Sequence, residues 1–372
     1  MKKTILLVWI TACILTACKD KTITLTGKFA TSEHDGKVAY LQQLDSLFRV
    51  GGIVDSTIIE NSKFVFKGVD SGSPSVLFVV INDPIMTMPF IAEKGKIELD
   101  VDSDSNVTLK GTALNDQFQQ YTTEKLNVVR KIASVQDKMI NAKDSGDLTS
   151  DQFHDFDNQR KQLNEELGNT VYKFIKPIMK TRAGQCFLVY NFDCLNDMQL
   201  KELISLSTSD FKQIDGIQQI EKQIETRAAT AIGKQFTDVK GLDPDGKEVS
   251  LSDYAGKGKI VLVDFWASWC GPCLRAMPDL INMYQKYKSQ GFEIVGISLD
   301  DNNKDWKSAI ETLQIPWPQL SNLKAWKEDA AIAYGVNFIP QTVLIDPSGK
   351  IIDNRLDGNE LKFKLEDLFE AK

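Results

Sequence analysis

Apolar positions follow three different periods in turn along this chain. Residues 21–110 carry short alternating runs, such as Thr22-Ile23-Thr24-Leu25-Thr26, Lys63-Phe64-Val65-Phe66-Lys67 and Lys96-Ile97-Glu98-Leu99-Asp100-Val101. Turn residues separate them: Asp35-Gly36, Gly51-Gly52 and Lys94-Gly95. Period two with such punctuation predicts antiparallel strands. About seven runs in this stretch predict a small antiparallel β-sandwich. Phe64, Phe66, Phe78 and Phe90 read as its core.

Between residues 114 and 233 the period becomes helical. Phe153, Phe156, Leu163, Leu167, Val171, Phe174 and Ile178 recur at three- and four-residue steps and line one face. Ser150 is the expected N-cap of that helix, with Asp151 in its first turn. Phe211, Ile214, Ile217, Ile220 and Ile224 repeat the pattern. Such stripes read as packing, with a surface on offer to a partner or a second copy of the chain. His154 beside the face reads as an ordinary packed or surface residue. Cys186 and Cys194 read as free thiols, since eight residues of one helix rise ~12 Å, too far for a disulfide. A turn over 191–197 would instead allow them to pair.

From residue 235 onward strands alternate with helices. Asp243-Pro244-Asp245-Gly246 marks a hairpin. Residues 259–266 and 292–299 are apolar runs of the kind found in strands covered on both faces. Between them Met277, Leu280, Ile281, Tyr284 and Tyr287 form a helical stripe that Gly291 ends. A second hairpin crosses Pro347-Ser348-Gly349, and an amphipathic helix over 359–370 closes the chain. The expected organisation is multidomain: 18–112 for the β-sandwich, 113–233 for a helical linker region and 234–372 for an α/β domain.

Composition narrows the function. The chain has 372 residues, more than one ordinary core holds. Lys and Arg number 44 against 51 Asp and Glu, a net charge of −7. No global field attracts nucleic acid, and no nucleic-acid partner is expected. Two histidines, His34 and His154, argue against a site built on several imidazoles. Residues 1–17 have the form of a leader: Lys2 and Lys3, then an apolar run over 5–15. Eleven helical residues rise ~16 Å, about half of a ~30 Å hydrocarbon core, so the run reads as a signal peptide.

The chemistry is at Trp266-Ala267-Ser268-Trp269-Cys270-Gly271-Pro272-Cys273, which follows an apolar strand and opens a helix. That context fits a Cys-x-x-Cys redox motif. Cys270 at the helix N-terminus gains from unpaired N–H groups and the macrodipole, which favour the nucleophilic thiolate. Half a zinc site is the competing reading, but no second Cys or His pair completes it, and no metal is expected. A purely structural disulfide would close too small a loop to stabilise much. Asp264 lies within Ile260-Val261-Leu262-Val263-Asp264-Phe265, where burial should raise its pKa and make it a proton acceptor near neutrality. A rim carboxylate bonded to backbone is the alternative.

The segment from Val263 to Cys273 resembles the active site of thioredoxins. The longer arrangement, with its leading hairpin and an insertion after Leu299, resembles the TlpA/ResA branch of membrane-attached thiol–disulfide oxidoreductases. The resemblance covers about residues 233–368 and implies a thioredoxin-like fold for the C-terminal domain. It also implies a cis peptide at Ile339-Pro340 facing the dithiol, with Ile339, Pro340 and Trp269 meeting substrate. Asp264 would deprotonate Cys273 as the mixed disulfide resolves. No cofactor is implied beyond the cysteine pair. Ala276 stands where many members carry a glutamate, so that acid's work would be absent or fall to Asp264. Leu15-Thr16-Ala17-Cys18 resembles the lipobox of bacterial lipoproteins, which implies lipidation at Cys18 and a place in the cell envelope. The implied activity is reduction of disulfide-containing envelope proteins, apocytochrome c among them, with electrons from a membrane thiol reductant. Two other functions stay open. A thiol peroxidase on this fold would carry Thr or Ser where Ala267 stands. A scaffold lipoprotein would use the β-region to bind an envelope ligand.

Overall fold

A computed structural model describes residues 22–70, 72–82, 84–354, 356 and 358–370. Cys18 lies outside the described residues. The chain packs as two compact units: Met1–Gln136 with Gln159–Thr208, and Asp137–Asn158 with Ser209–Lys372.

The first unit holds eight strands: β1 (Thr22–Phe29), β2 (Val38–Leu44), β3 (Val50–Ile58), β4 (Lys63–Asp70), β5 (Val76–Asn82), β6 (Ile85–Ile91), β7 (Gly95–Val101) and β8 (Val107–Lys110). They form two four-stranded sheets, ordered β4-β1-β7-β8 and β3-β2-β5-β6. Alternation along β1 buries Ile23, Leu25 and Phe29, as a strand with one core face requires. The expected all-antiparallel pairing does not hold, because β1 runs parallel to β7 with Leu25 beside Ile97. Tight turns force neighbours such as β5 and β6 to be antiparallel; the long connection from β1 to β7 imposes no direction. Gly27 pairs with Phe64, and a Cβ on Gly27 would lie 2.0 Å from two carbons of the Phe64 ring. The ring covers the glycine, so this strand needs that residue.

Helices follow: α1 (Ala113–Asp144), α2 (Ser150–Ile175), α3 (Arg182–Asn191), α4 (Asp197–Leu206), α5 (Ser209–Lys212) and α6 (Asp215–Ala229). The residues of α1 and α2 divide between the two units. In the first unit Phe118, Tyr121, Phe174 and Phe187 stack together, with the Tyr121 and Phe174 rings 4.3 Å apart. Three expectations need correction. Thr149, not Ser150, caps α2: its hydroxyl accepts from Gln152 N–H at 3.3 Å, and Gln152 Oε1 accepts from Thr149 N–H at 3.1 Å. Ile178 falls in a 3-10 turn after α2, because Pro177 has no N–H to continue the helix. The stripe from Phe211 to Ile224 is two helices that break at Ile214. Cys186 on α3 and Cys194 just beyond it are free thiols, and burial pushes Cys186 up to about 12. Among the described residues no helix is long and apolar enough to cross a membrane.

The second unit contains β9 (Lys240–Leu242), β10 (Glu248–Ser250), β11 (Ile260–Trp266), α7 (Gly271–Tyr287), β12 (Phe292–Ser298), α8 (Asn303–Leu313), β13 (Gln319–Leu320), α9 (Asp329–Ala333), β14 (Gln341–Ile345), β15 (Ile351–Asn354) and α10 (Gly358–Glu370). β9 and β10 form the expected hairpin. The main sheet runs β13-β12-β11-β14-β15. Its first three strands are parallel and its last two antiparallel. Every residue of β11 and β12 is buried, which is why their sequences do not alternate. Gly291 leaves the helix end at φ 99°, a conformation glycine adopts without strain.

Replacing Gly27 with valine should drive a side chain into the Phe64 ring and destabilise the first unit by ~1–3 kcal/mol. Thermal unfolding followed by circular dichroism should show the lowered transition, while insulin reduction by the folded protein stays at the wild-type rate.

Candidate active site

The first turn of α7 carries the two sulfurs. Cys270 is its N-cap residue, with extended backbone (φ −84°, ψ 93°), and Pro272 sits inside the first turn where no N–H is missed. Cys270 and Cys273 form a disulfide with Cα atoms 5.2 Å apart. The Sγ of Cys270 also accepts the Cys273 N–H at 3.2 Å. That donor and the helix N-terminus both favour negative charge on Cys270 once the bond is reduced. The two sulfurs differ in access: Cys270 is 5% exposed and Cys273 1%.

A buried carboxylate braces the loop that leads into the helix. Asp300 accepts from Ser268 N–H at 3.0 Å, Ser268 hydroxyl at 2.5 Å and Ser298 hydroxyl at 2.7 Å. Cys270 N–H then donates to Ala267 carbonyl at 3.1 Å. Sequence reasoning missed Asp300, though it follows the apolar run of β12 as a buried acid that needs donors. Trp266 is fully buried and its indole N–H donates to Gln319 Oε1 at 2.9 Å. Trp269, by contrast, is 53% exposed, with its ring 6.1 Å from that of Trp326. Trp326 was also missed, since nothing near it in sequence connects it to the dithiol.

The Ile339-Pro340 peptide is cis, as expected. β14 starts at the next residue, Gln341, which pairs with Phe265. One further step of that antiparallel register brings Pro340 level with Trp266, at the end of β11 from which the dithiol loop leaves. Ile339 is half-buried, and no other described residue hydrogen-bonds to its backbone. Those backbone groups stand open to an added extended segment.

Asp264 lies on the same face of the sheet as Phe292, because Ile260 pairs with Phe292 and Asp264 with Gly296 in the parallel register. Phe292 and Tyr287 of α7 both meet Phe369 of α10, so α7 and α10 cover this face. Asp264 is therefore beneath the helix that carries Cys273. It is 2% exposed and its Oδ2 has no hydrogen-bond partner. Burial pushes its carboxyl up to about 7. Water around a charged carboxylate is lost here without replacement, so the neutral form is favoured.

The structure thus gathers Cys270, Cys273, Trp269, Ile339 and Pro340 at one end of β11, with Asp264 below. His154 is elsewhere in this unit, with Nε2 3.0 Å from Asp367 Oδ2 and its ring beside Phe153.

Known proteins resemble both parts of the chain. Residues 232–354 match the AhpC/TSA family, a span that includes every one of these site residues. Residues 23–118 match a domain of unknown function, DUF4369. The thiol-disulfide oxidoreductase ResA of Bacillus thuringiensis subsp. konkukian is 32% identical over 136 residues, 37% of this chain and 75% of that protein. The ResA of Geobacillus thermodenitrificans is 33% identical over 146 residues, 38% of this chain and 80% of that protein. A solved thioredoxin domain of a thiol-disulfide oxidoreductase from Bacteroides vulgatus is 37% identical, covering 37% of this chain and 98% of that one, with a TM-score of 0.35. A cysteine pair on a thioredoxin-like α/β unit with an AhpC/TSA domain at 232–354, and relatives of this identity matched over most of their length, make the chain a ResA-like thiol–disulfide oxidoreductase.

Proposed function

We propose that this enzyme is a lipid-anchored reductase of protein disulfides in the cell envelope. Cys270 is the attacking thiol, Cys273 the resolving thiol and Asp264 the group that takes the proton from Cys273. The inequality of the two sulfurs carries the assignment: the less buried one caps a helix, and the more buried one sits on the helix over a neutral-leaning carboxyl.

The Cys270 thiolate attacks a substrate disulfide, forming a mixed disulfide and expelling one substrate thiolate, which takes a proton. Cys273 then gives its proton to the Asp264 carboxylate and attacks Cys270 Sγ. The second substrate sulfur leaves as a thiolate and is protonated. Two electrons have passed to the substrate, and the enzyme ends as the Cys270–Cys273 disulfide. Ile339 would hold the substrate as a short added strand, with Pro340 keeping the backbone turned to the sulfurs and Trp269 covering the segment from solvent.

Regeneration needs a dithiol donor of the same class, which in this reading is a membrane thiol reductant. Substrates are disulfide-bonded envelope proteins, and the ResA relationship favours cytochrome c maturation. Support for the envelope comes from the leader at 1–17 and from Leu15-Thr16-Ala17-Cys18, with lipid on Cys18. The strand-rich region, 18–112, is read as a β-sandwich domain and 113–233 as a helical linker to the catalytic domain at 234–372. A homodimer through the helical region belongs to the same reading.

Cys273→Ser should hold substrates covalently on Cys270, and Cys270→Ser should abolish insulin reduction. In the reduced protein Cys270 should alkylate first at mildly acidic pH; a faster Cys273 would reverse the two roles. Cys18→Ser should release the protein from membranes and end labelling by a lipid precursor, and retained label would remove the anchor from this reading. Asp264→Asn should leave the first attack unchanged and slow release by roughly 10²–10⁴-fold, as loss of a general base does. Stability moves the other way. A carboxyl near 7 in the folded protein and 3.8 in the unfolded chain favours folding fully below pH 4, and that advantage is lost as pH rises through 7. Relative to wild type, oxidised Asp264→Asn should therefore gain stability between pH 4 and 7, by on the order of 4 kcal/mol, and then level off. Melting curves at pH 4, 6 and 8 check the slope, and a constant difference would contradict it.

A further inference from the structure

Asp264, Gly296 and Gln319 stand in one row across β11, β12 and β13. The parallel registers set Asp264 opposite Gly296 and Gly296 opposite Gln319, so all three belong to one sheet face. The middle position has no side chain, in a strand otherwise built with Phe292, Ile294, Val295 and Ile297. A glycine inside a strand weakens it and often marks the close approach of another group. Here the group is identified. A Cβ on Gly296 would lie 2.3 Å from both Nε2 and Oε1 of Gln319 and 2.5 Å from Cδ. The Gln319 amide is folded back over Gly296, into the space between its own strand and Asp264.

The orientation of that amide is fixed chemically. Trp266 is two residues beyond Asp264 on the same face, and its buried indole N–H can only donate. It donates to Gln319 Oε1, which leaves Nε2 as the free end. Gln319 is 4% exposed, and Nε2 has no hydrogen-bond partner. Asp264 Oδ2 has none either. A buried donor and a buried acceptor therefore stand unpaired on one face, with only a glycine between their strands. Each alone costs about 1–3 kcal/mol, and a site that keeps both needs a reason.

The other groups around Asp264 do not supply a donor. Thr342, its partner on β14, gives its hydroxyl to Leu356 carbonyl at 2.9 Å. The other buried acids of the sheet are occupied: Asp300 by Ser268 and Ser298, and Glu293 by Lys259 and Tyr284. No charged side chain acts on Asp264, whose only shift is from burial. On α7, the thiol of Cys273 is the group that the proposed mechanism sets against it after reduction. On α10, Lys286 and Tyr287 of α7 tie Glu370, and Lys364 pairs with Asp353 of β15.

We propose that Gln319 is the positioning residue of this active site: clamped by Trp266 and seated over Gly296, its amide N–H supports the charged form of Asp264 while Cys273 awaits deprotonation. The N–H and the carboxyl are unbonded in the disulfide form. The bond forms, directly or through one water molecule, when Asp264 ionises, and it is given up as the proton arrives from Cys273. Without this donor the carboxyl would ionise only at a higher pH, and a smaller share of it would be ready to accept that proton at neutral pH. The inference deepens the proposed role of Asp264 and rests on it.

The experiment follows the Asp264 carboxyl itself, by carbon NMR of aspartate-labelled oxidised protein across pH 5–9. Release from a mixed disulfide is measured over the same range. In Gln319→Leu, and separately in Gly296→Ala, which pushes the amide aside, the carboxyl midpoint should rise by about one pH unit, the shift that one charge-assisted hydrogen bond supplies. Release should need a correspondingly higher pH. Trp266→Phe, which keeps an aromatic ring but removes the N–H that holds Oε1, should move the midpoint the same way. A merely structural Gln319 would lower the melting temperature and leave the midpoint where it was; that result in the two folded variants overturns the proposal. In an Asp264→Asn background Gln319→Leu should have no further effect on release, and an added slowing would also overturn it. Should the midpoint move while release ignores it, the amide–carboxyl coupling stands and the role of Asp264 as proton acceptor fails.

Discussion

A carboxyl group inside a strand that water does not reach must be neutral or be paired, and the catalytic unit is arranged around that constraint. β11 is covered on both faces, so Asp264 loses hydration and gains no counter-charge. The strand tolerates it because a protonated carboxyl is far cheaper to bury than a charged one. What is a cost to folding is, in the proposed mechanism, also a proton acceptor poised near neutrality, under the helix that holds Cys273. The same carboxyl in solvent would be ionised at all working pH values and a much weaker base.

The disulfide exploits a second inequality, this time within one helical turn. Cys270 at the cap receives an N–H and the helix dipole, whereas Cys273 is enclosed by the core. In the proposed mechanism this inequality makes one sulfur the thiolate and leaves the other a thiol until a base acts on it. The geometry survives because the loop before the helix is tied down by Asp300 and the two serines, and because Trp266 anchors the strand end. Rigid support of this kind keeps reacting groups within the narrow tolerance that exchange chemistry needs.

The first unit obeys different rules. β2–β3, β5–β6 and β7–β8 are hairpins whose turns fix the pairing, whereas β2–β5, β1–β4 and β1–β7 join strands distant in sequence, the last of them parallel. A ring laid across Gly27 fills the space that a side chain would otherwise take. The stacked aromatic group on the helices of this unit is packing of the same sort, with Cys186 buried as a neutral thiol.

Local pattern alone determined much of this protein. The strand-loop-helix around Cys270 and Cys273, the lone acid in an apolar strand and the hairpin turns are all read within a few neighbouring residues, because the physics that sets them is local; the role of Pro340 came only from the family resemblance. Helix boundaries were less legible: Thr149 and Pro177 outcompeted the apolar stripe that ran past them. Partners far apart in sequence could not be read at all. Gln319 meets Trp266 across 53 residues and Asp300 meets Ser268 across 32. β1 finds β7 on the far side of five other strands. Burial, register and the emptiness above a glycine are properties of packed neighbours, and only the tertiary structure decides which neighbours those are.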